Sequence, residues 1–177
     1  MLAITFILEL LASVLGVVYI ILIARKNALG WLAGIISCAI FAWLCMESAL
    51  ISQGIIQSIN VLLGIWGWVQ WKKQVTPVKS YPKLGIIFLA VLPLIYVGSI
   101  LCFPGLSWPT QLDQIALMYS LVATVLTVRM IQQNWMLWLV VNGITAITAC
   151  LNELYFYAGL SVIYFGVSLY GMYQWKK

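Results

Sequence analysis

Gly67-Trp68-Val69-Gln70-Trp71-Lys72-Lys73 returns 104 residues later as Gly171-Met172-Tyr173-Gln174-Trp175-Lys176-Lys177, and this echo decides the architecture. Holding the same offset without gaps pairs Trp31 with Trp135, Arg25 with Arg129 and the acid Glu9 with Asp113. Of the 65 positions aligned this way (9–73 against 113–177), 14 are identical, and most others exchange one apolar side chain for another. Shared hydrophobicity inflates any such score. Matched Trp, Arg, Gly and Gln-Trp-Lys-Lys at one constant offset are much harder to obtain by chance. The chain contains two copies of one unit.

Composition sets the solvent of that unit. Hydrophobic residues make up 64% and charged residues 7% of 177, with a mean hydropathy of +1.07. A soluble domain of this length could not hide so much apolar surface. The apolar runs are continuous rather than alternating, which indicates spanning helices and not a membrane barrel. The fold class is all-α integral membrane. Cys38, Cys45, Cys102 and Cys150 form no CxxC pair, lie in apolar segments and are read as packing residues. Histidine is absent, which removes the commonest metal ligand and general base, so neither a cofactor nor catalysis is expected.

Breaks and charges divide the chain into seven spans, near 3–24, 30–50, 54–71, 84–103, 113–131, 135–151 and 155–173. The first lacks a basic n-region, carries Glu9 early and belongs to the repeat, so it is read as a span and not a cleaved leader. Pro77 and Pro82, then Pro104 and Pro109, isolate the fourth span. The expected organisation is a first repeat over 1–73, a linker with one helix over 74–112, and a second repeat over 113–177. With this count all nine basic residues fall on one face: Arg25, Lys26, Lys72, Lys73, Lys79, Lys83, Arg129, Lys176 and Lys177. Glu9, Glu47, Asp113 and Glu153 lie at or toward the other. The positive-inside rule makes the basic face cytoplasmic, with the amino terminus outside. The net charge of +5 then reads as inner-leaflet anchoring and needs no nucleic acid.

Three spans end on the side opposite their start, so a directly following copy would be inverted. One intervening helix makes the copies parallel, a 3+1+3 arrangement of the SWEET type, with a solute expected between the halves near the midplane.

Polar groups within hydrocarbon point inward, to neighbours or to a watery path. Gln53, Gln57, Asn60, Gly64 and Gly67 share one face of span 3. Their equivalents Tyr157, Ser161, Tyr164, Ser168 and Gly171 share one face of span 7. Such a stripe either lets helices approach closely or lines a site. The glycines and Ser168 suit packing; Gln57, Asn60 and Tyr164, at mid-depth, suit a site. In span 6, Trp135, Trp138 and Asn142 stand at i, i+3 and i+7. Trp135 alone suits an interfacial anchor. Trp138 beside Asn142 suits an aromatic solute with hydrogen-bonding groups. Their repeat equivalents are Gly34 and Cys38, so this pair is not shared scaffold. Asp113 reads equally as a solvated helix-capping acid or a functional group, and Glu47 and Glu153 as outer-face solvation.

At these residues the sequence resembles the PnuC-type vitamin transporters over nearly its whole length. The resemblance rests on Gly67/Trp71 and Gly171/Trp175, on Gln57 fourteen residues before Trp71, on Asp113, and on Asn134-Trp135-x-x-Trp138-x-x-x-Asn142. It implies facilitated diffusion of a vitamin precursor, nicotinamide riboside foremost, across a bacterial inner membrane. It also implies a homotrimer and retention of the solute by a separate cytoplasmic kinase. Related branches take thiamine or riboflavin. Gly64 departs from the Asn common in relatives. The expected substrate set is Gln57, Asn60, Trp138, Asn142, Tyr164, Trp135 and Asp113. No acid stands at mid-membrane in the polar stripes, which argues for an uncoupled uniporter working by rocking of the triple-helix units.

Overall fold

The computed structural model describes residues 2–48, 51–73, 80–102, 105 and 107–176. Of the expectations above, those on Pro77, Lys79, Pro104 and Lys177, and on the side chains of Pro82 and Cys102, lie outside the described residues. Among the described residues seven helices follow in order: α1 Leu2–Ala24, α2 Leu29–Glu47, α3 Ile51–Lys73, α4 Pro82–Cys102, α5 Trp108–Val128, α6 Asn134–Leu151 and α7 Tyr155–Gln174. Seven spans are expected from the sequence; among the described residues five of the helices are long and apolar enough to cross a bilayer: α1 (from Ile4), α2, α5, α6 and α7. Side chains such as Phe6, Leu94, Leu101 and Phe156 are largely exposed, as lipid-facing groups must be in a protein stripped of its membrane.

The chain forms two compact units, Met1–Pro77 and Val78–Lys177. In the first, α2 is the middle helix and packs on both α1 and α3. In the second, α6 takes that place between α5 and α7, and α4 packs on α5 and α6. Tyr96 of α4 lies against the buried cluster of Ile115, Ala116, Tyr119, Ala123, Leu126, Leu137 and Val141. Gln133, just before α6, accepts from the backbone N–H of Tyr81 (2.9 Å) and donates to Ser80 Oγ (3.2 Å), which fastens the approach to α4.

The backbone turns that follow α1 and α5 match at the 104-residue offset. After α1, Lys26 N–H donates to Ile23 O (2.9 Å) and Asn27 N–H to Leu22 O (2.9 Å). After α5, Met130 donates to Thr127 O (3.0 Å) and Ile131 to Leu126 O (2.9 Å). This pair of bonds closes a helix by turning one residue left-handed, and Lys26 (φ 58°) and Met130 (φ 53°) are the turned residues. The next turn repeats too, with Trp31 N–H donating to Ala28 O (3.0 Å) and Trp135 N–H to Gln132 O (3.2 Å). Residues so fixed bring both tryptophans to the same place in their units.

The largest departure from the expected bounds is the start of α5. Span 5 was placed from 113, yet α5 begins at Trp108: Ser107 Oγ accepts from Thr110 N–H, and Pro109 sits in the first turn, where its missing N–H costs nothing. Of the cysteines, Cys38 and Cys45 are half-buried, whereas Cys150, expected to pack, is exposed; all three are free thiols.

Candidate functional site

The middle helix α6 distributes the chemistry of the second unit. Trp135 turns toward α7, where its ring meets Trp175 edge-on at 5.5 Å and 86°. Gly171 lies against the same indole, so that a Cβ there would come within 2.6 Å. In the first unit Trp31 meets Trp71 at 5.5 Å and 87°, above Gly67. Trp135 has 0% exposure. Wholly buried, Trp135 is not an exposed interfacial anchor; in this arrangement its ring packs α6 against α7.

Trp138 leans the other way, toward α5. It is half-buried, packs on the cluster that includes Ala123, and its Nε1 donates to Thr127 Oγ1 at 3.5 Å. Offset subtraction shows what has been exchanged. Ala123 corresponds to Tyr19 and Trp138 to Gly34. In the first unit the Tyr19 ring from α1 fills the space over Gly34, where a Cβ would come within 2.7 Å of it. The large aromatic has changed helices, from α1 in one copy to α6 in the other. Trp138 therefore has a packing role, filling between α5 and α6, in addition to whatever its accessible part does.

Asn142, one turn further along α6, is buried (6% exposed) and donates from Nδ2 to Ser168 Oγ of α7 at 3.4 Å. Ser168 in turn donates to the carbonyl of Tyr164 at 2.8 Å. Asn142 and Ser168 thus meet in the α6–α7 contact, and Tyr164, one turn before Ser168 on α7, has a half-buried side chain. Eight residues from the start of α6, Asn142 lies about 12 Å along the helix.

Asp113 is exposed, and it does not cap α5, because Ser107 does. Its Oδ1 instead accepts the hydroxyl of Thr148 on α6, which is buried (2% exposed) and beside which Asn152 Nδ2 donates to Thr148 O (2.9 Å). Asp113 stands at the opposite end of the unit from Trp135. The structure accordingly ties Asn142 to Ser168, sets Trp138 a turn away along α6, and places Asp113 and Trp135 at opposite ends of the unit.

In the first unit Gln57 and Asn60 are half-buried on α3. Further along the same face, Gly64 lies against Ile35 and Gly67 against Trp31, so the glycine part of the stripe is the α2–α3 contact. Thr127 and Thr148 escaped the sequence reading. Thr127 could have been found by following the departures from symmetry, since it replaces Ile23 opposite the position where Trp138 replaces Gly34.

Residues 6–177 match the family described as nicotinamide mononucleotide transporter. The chain belongs to that family. Among solved structures it is similar to one titled "Crystal structure of the Vitamin B3 transporter PnuC", at 22% identity and a TM-score of 0.71. The likeness covers 96% of this chain and 80% of that one, and it establishes the shared fold. No curated protein matches the sequence. As a member of the nicotinamide mononucleotide transporter family, the chain is a multi-pass membrane protein of the transporter class, and the PnuC-type resemblance stands.

Proposed function

We propose that this protein is an uncoupled uniporter for a nicotinamide-bearing vitamin precursor, nicotinamide riboside foremost, working by alternating access. The observation that carries the reading is that Trp138 and Asn142, absent from the first copy, stand one turn apart on α6, each tied by its own hydrogen bond. An aromatic face holds a pyridinium ring without a buried acid. Asn142 and Tyr164, with Gln57 and Asn60 of the first unit, supply amide and phenol groups for ribose hydroxyls or a carboxamide. Asp113, with Oδ1 engaged by Thr148, offers its second oxygen to a solute hydroxyl. Trp135 contributes by holding α6 in register.

The family takes its description from the mononucleotide, which bears a phosphate. Phosphate is held by Arg or Lys. Among the described residues every Lys and Arg is exposed and sits at a helix end or in a connection: Arg25, Lys26, Lys72, Lys73, Lys83, Arg129 and Lys176. This favours the unphosphorylated riboside. Thiamine, another cationic heteroaromatic, is the second reading, and riboflavin a weaker one.

The proposal extends to a parallel 3+1+3 arrangement of the SWEET type, an inner-membrane location with the amino terminus outside, a homotrimer, and trapping of the solute by a cytoplasmic kinase. Binding calorimetry of the purified protein against nicotinamide riboside, its mononucleotide, thiamine and riboflavin tests the cargo. Tightest binding of the riboside is expected. Tighter binding of thiamine would reassign the cargo, and binding of none would contradict the reading.

A further inference from the structure

Two buried hydroxyls stand behind the residues proposed to touch the solute. Thr127 and Ser168 each have 0% exposure. Each donates its proton to the carbonyl four residues earlier in its own helix, Thr127 to Ala123 O and Ser168 to Tyr164 O, both at 2.8 Å. With the proton so committed, the oxygen remains as an acceptor. Each meets a donor from α6: Trp138 Nε1 at 3.5 Å and Asn142 Nδ2 at 3.4 Å. Both contacts are long for an N–H···O bond, and each joins a donor on α6 to a hydroxyl on a neighbouring helix.

The first copy carries neither hydroxyl. At the 104-residue offset Thr127 becomes Ile23 and Trp138 becomes Gly34; Ser168 becomes Gly64 and Asn142 becomes Cys38. In both pairs donor and acceptor have changed together.

We propose that Thr127 and Ser168 are positioning residues, which set the ring plane of Trp138 and the amide orientation of Asn142 toward the solute. The inference rests on the transport reading above and sharpens it. Because Ser168 Oγ can only accept, Asn142 must present its NH2 to Ser168 and its Oδ1 away from it. The solute group that meets Asn142 Oδ1 is therefore a hydrogen-bond donor, a hydroxyl or a carboxamide N–H. A ring lacking such a donor is discriminated against at this position.

The test uses the full-length protein in detergent, titrated with nicotinamide riboside, with thermal unfolding measured in parallel. Thr127→Val and Ser168→Gly are expected to weaken binding about three- to tenfold at a nearly unchanged melting temperature, the size of one orienting hydrogen bond. Thr127→Ser, which keeps the hydroxyl, restores affinity to within about twofold, and Thr127→Val adds less than about twofold to Trp138→Phe, which has no indole N–H. Without any ligand, the indole N–H resonance that disappears in Trp138→Phe shifts in Thr127→Val and returns in Thr127→Ser. Unchanged affinity in both hydroxyl-free variants would overturn the proposal, as would an equal loss from Thr127→Val with and without the Trp138 indole. A wild-type protein that binds no member of the vitamin panel would overturn the transport reading itself, a result distinct from either.

Discussion

Gly171 passes the Trp135 indole so closely that a single added methyl would sit 2.6 Å from the ring, and one added at Gly67 would sit 2.5 Å from Trp31. Each glycine is the floor on which a tryptophan pair rests, Trp135 with Trp175 and Trp31 with Trp71. Neither ring can yield easily, because both central indoles are almost wholly buried.

Replacing Gly171 or Gly67 with alanine should therefore destabilise the protein by about 1–3 kcal/mol through overpacking. The two losses should add, because each glycine acts within its own unit and they share no partner. Thermal unfolding in detergent reads this out, and an unchanged melting temperature in either variant would refute the tight contact.

The left-handed turn after α1 makes an opposite prediction. Lys26 is exposed and sits at φ 58°, a conformation that glycine adopts without strain. Lys26→Gly should stabilise the protein by about 0.5–1 kcal/mol, net of the greater chain entropy of glycine. A lower melting temperature would contradict it.

At the other end of the second unit, the hydroxyl of Thr148 binds the Asp113 carboxylate across α5 and α6. Thr148→Val should cost about 1.5–3 kcal/mol, the value of a hydrogen bond to a charged group, whereas Asp113→Asn should cost less because the amide oxygen still accepts. Equal losses in the two variants would show that the contact contributes through charge alone.

Asn142→Ala and Trp138→Ala separate function from framework. Affinity for nicotinamide riboside should fall about tenfold or more, since Asn142 loses its amide and Trp138 its ring. Asn142→Ala should remain folded, and Trp138→Ala should show an additional stability loss because Trp138 also fills space beside Ala123. Retention of affinity in both would leave them as packing residues only.

Much of the fold was legible because the repeat constrains it twice over. Helix order, the connections after α1 and α5, and the tryptophan matches all follow from one offset. The start of α5 was not, because Pro104 and Pro109 read as loop punctuation, while Ser107 with Pro109 in the first turn is a helix start. Burial of Trp135 was missed for a different reason. A Trp at a span end suits the interface by composition, and only Gly171 on a neighbouring helix makes room to bury it. The exchange of Tyr19 for Trp138 lay in the sequence as four residues at one offset, Tyr19, Gly34, Ala123 and Trp138. Reading it required knowing which helices face each other. Trp138 and Asn142 were found as departures from symmetry, and Thr127 stands beside them by the same logic.

Uptake into liposomes containing only the purified protein is the direct measurement of the central claim. Labelled nicotinamide riboside should equilibrate across the bilayer with no ion gradient and no membrane potential, and Asn142→Ala liposomes should fill far more slowly. A strict requirement for a proton or sodium gradient, or equal filling by liposomes without protein, would contradict it.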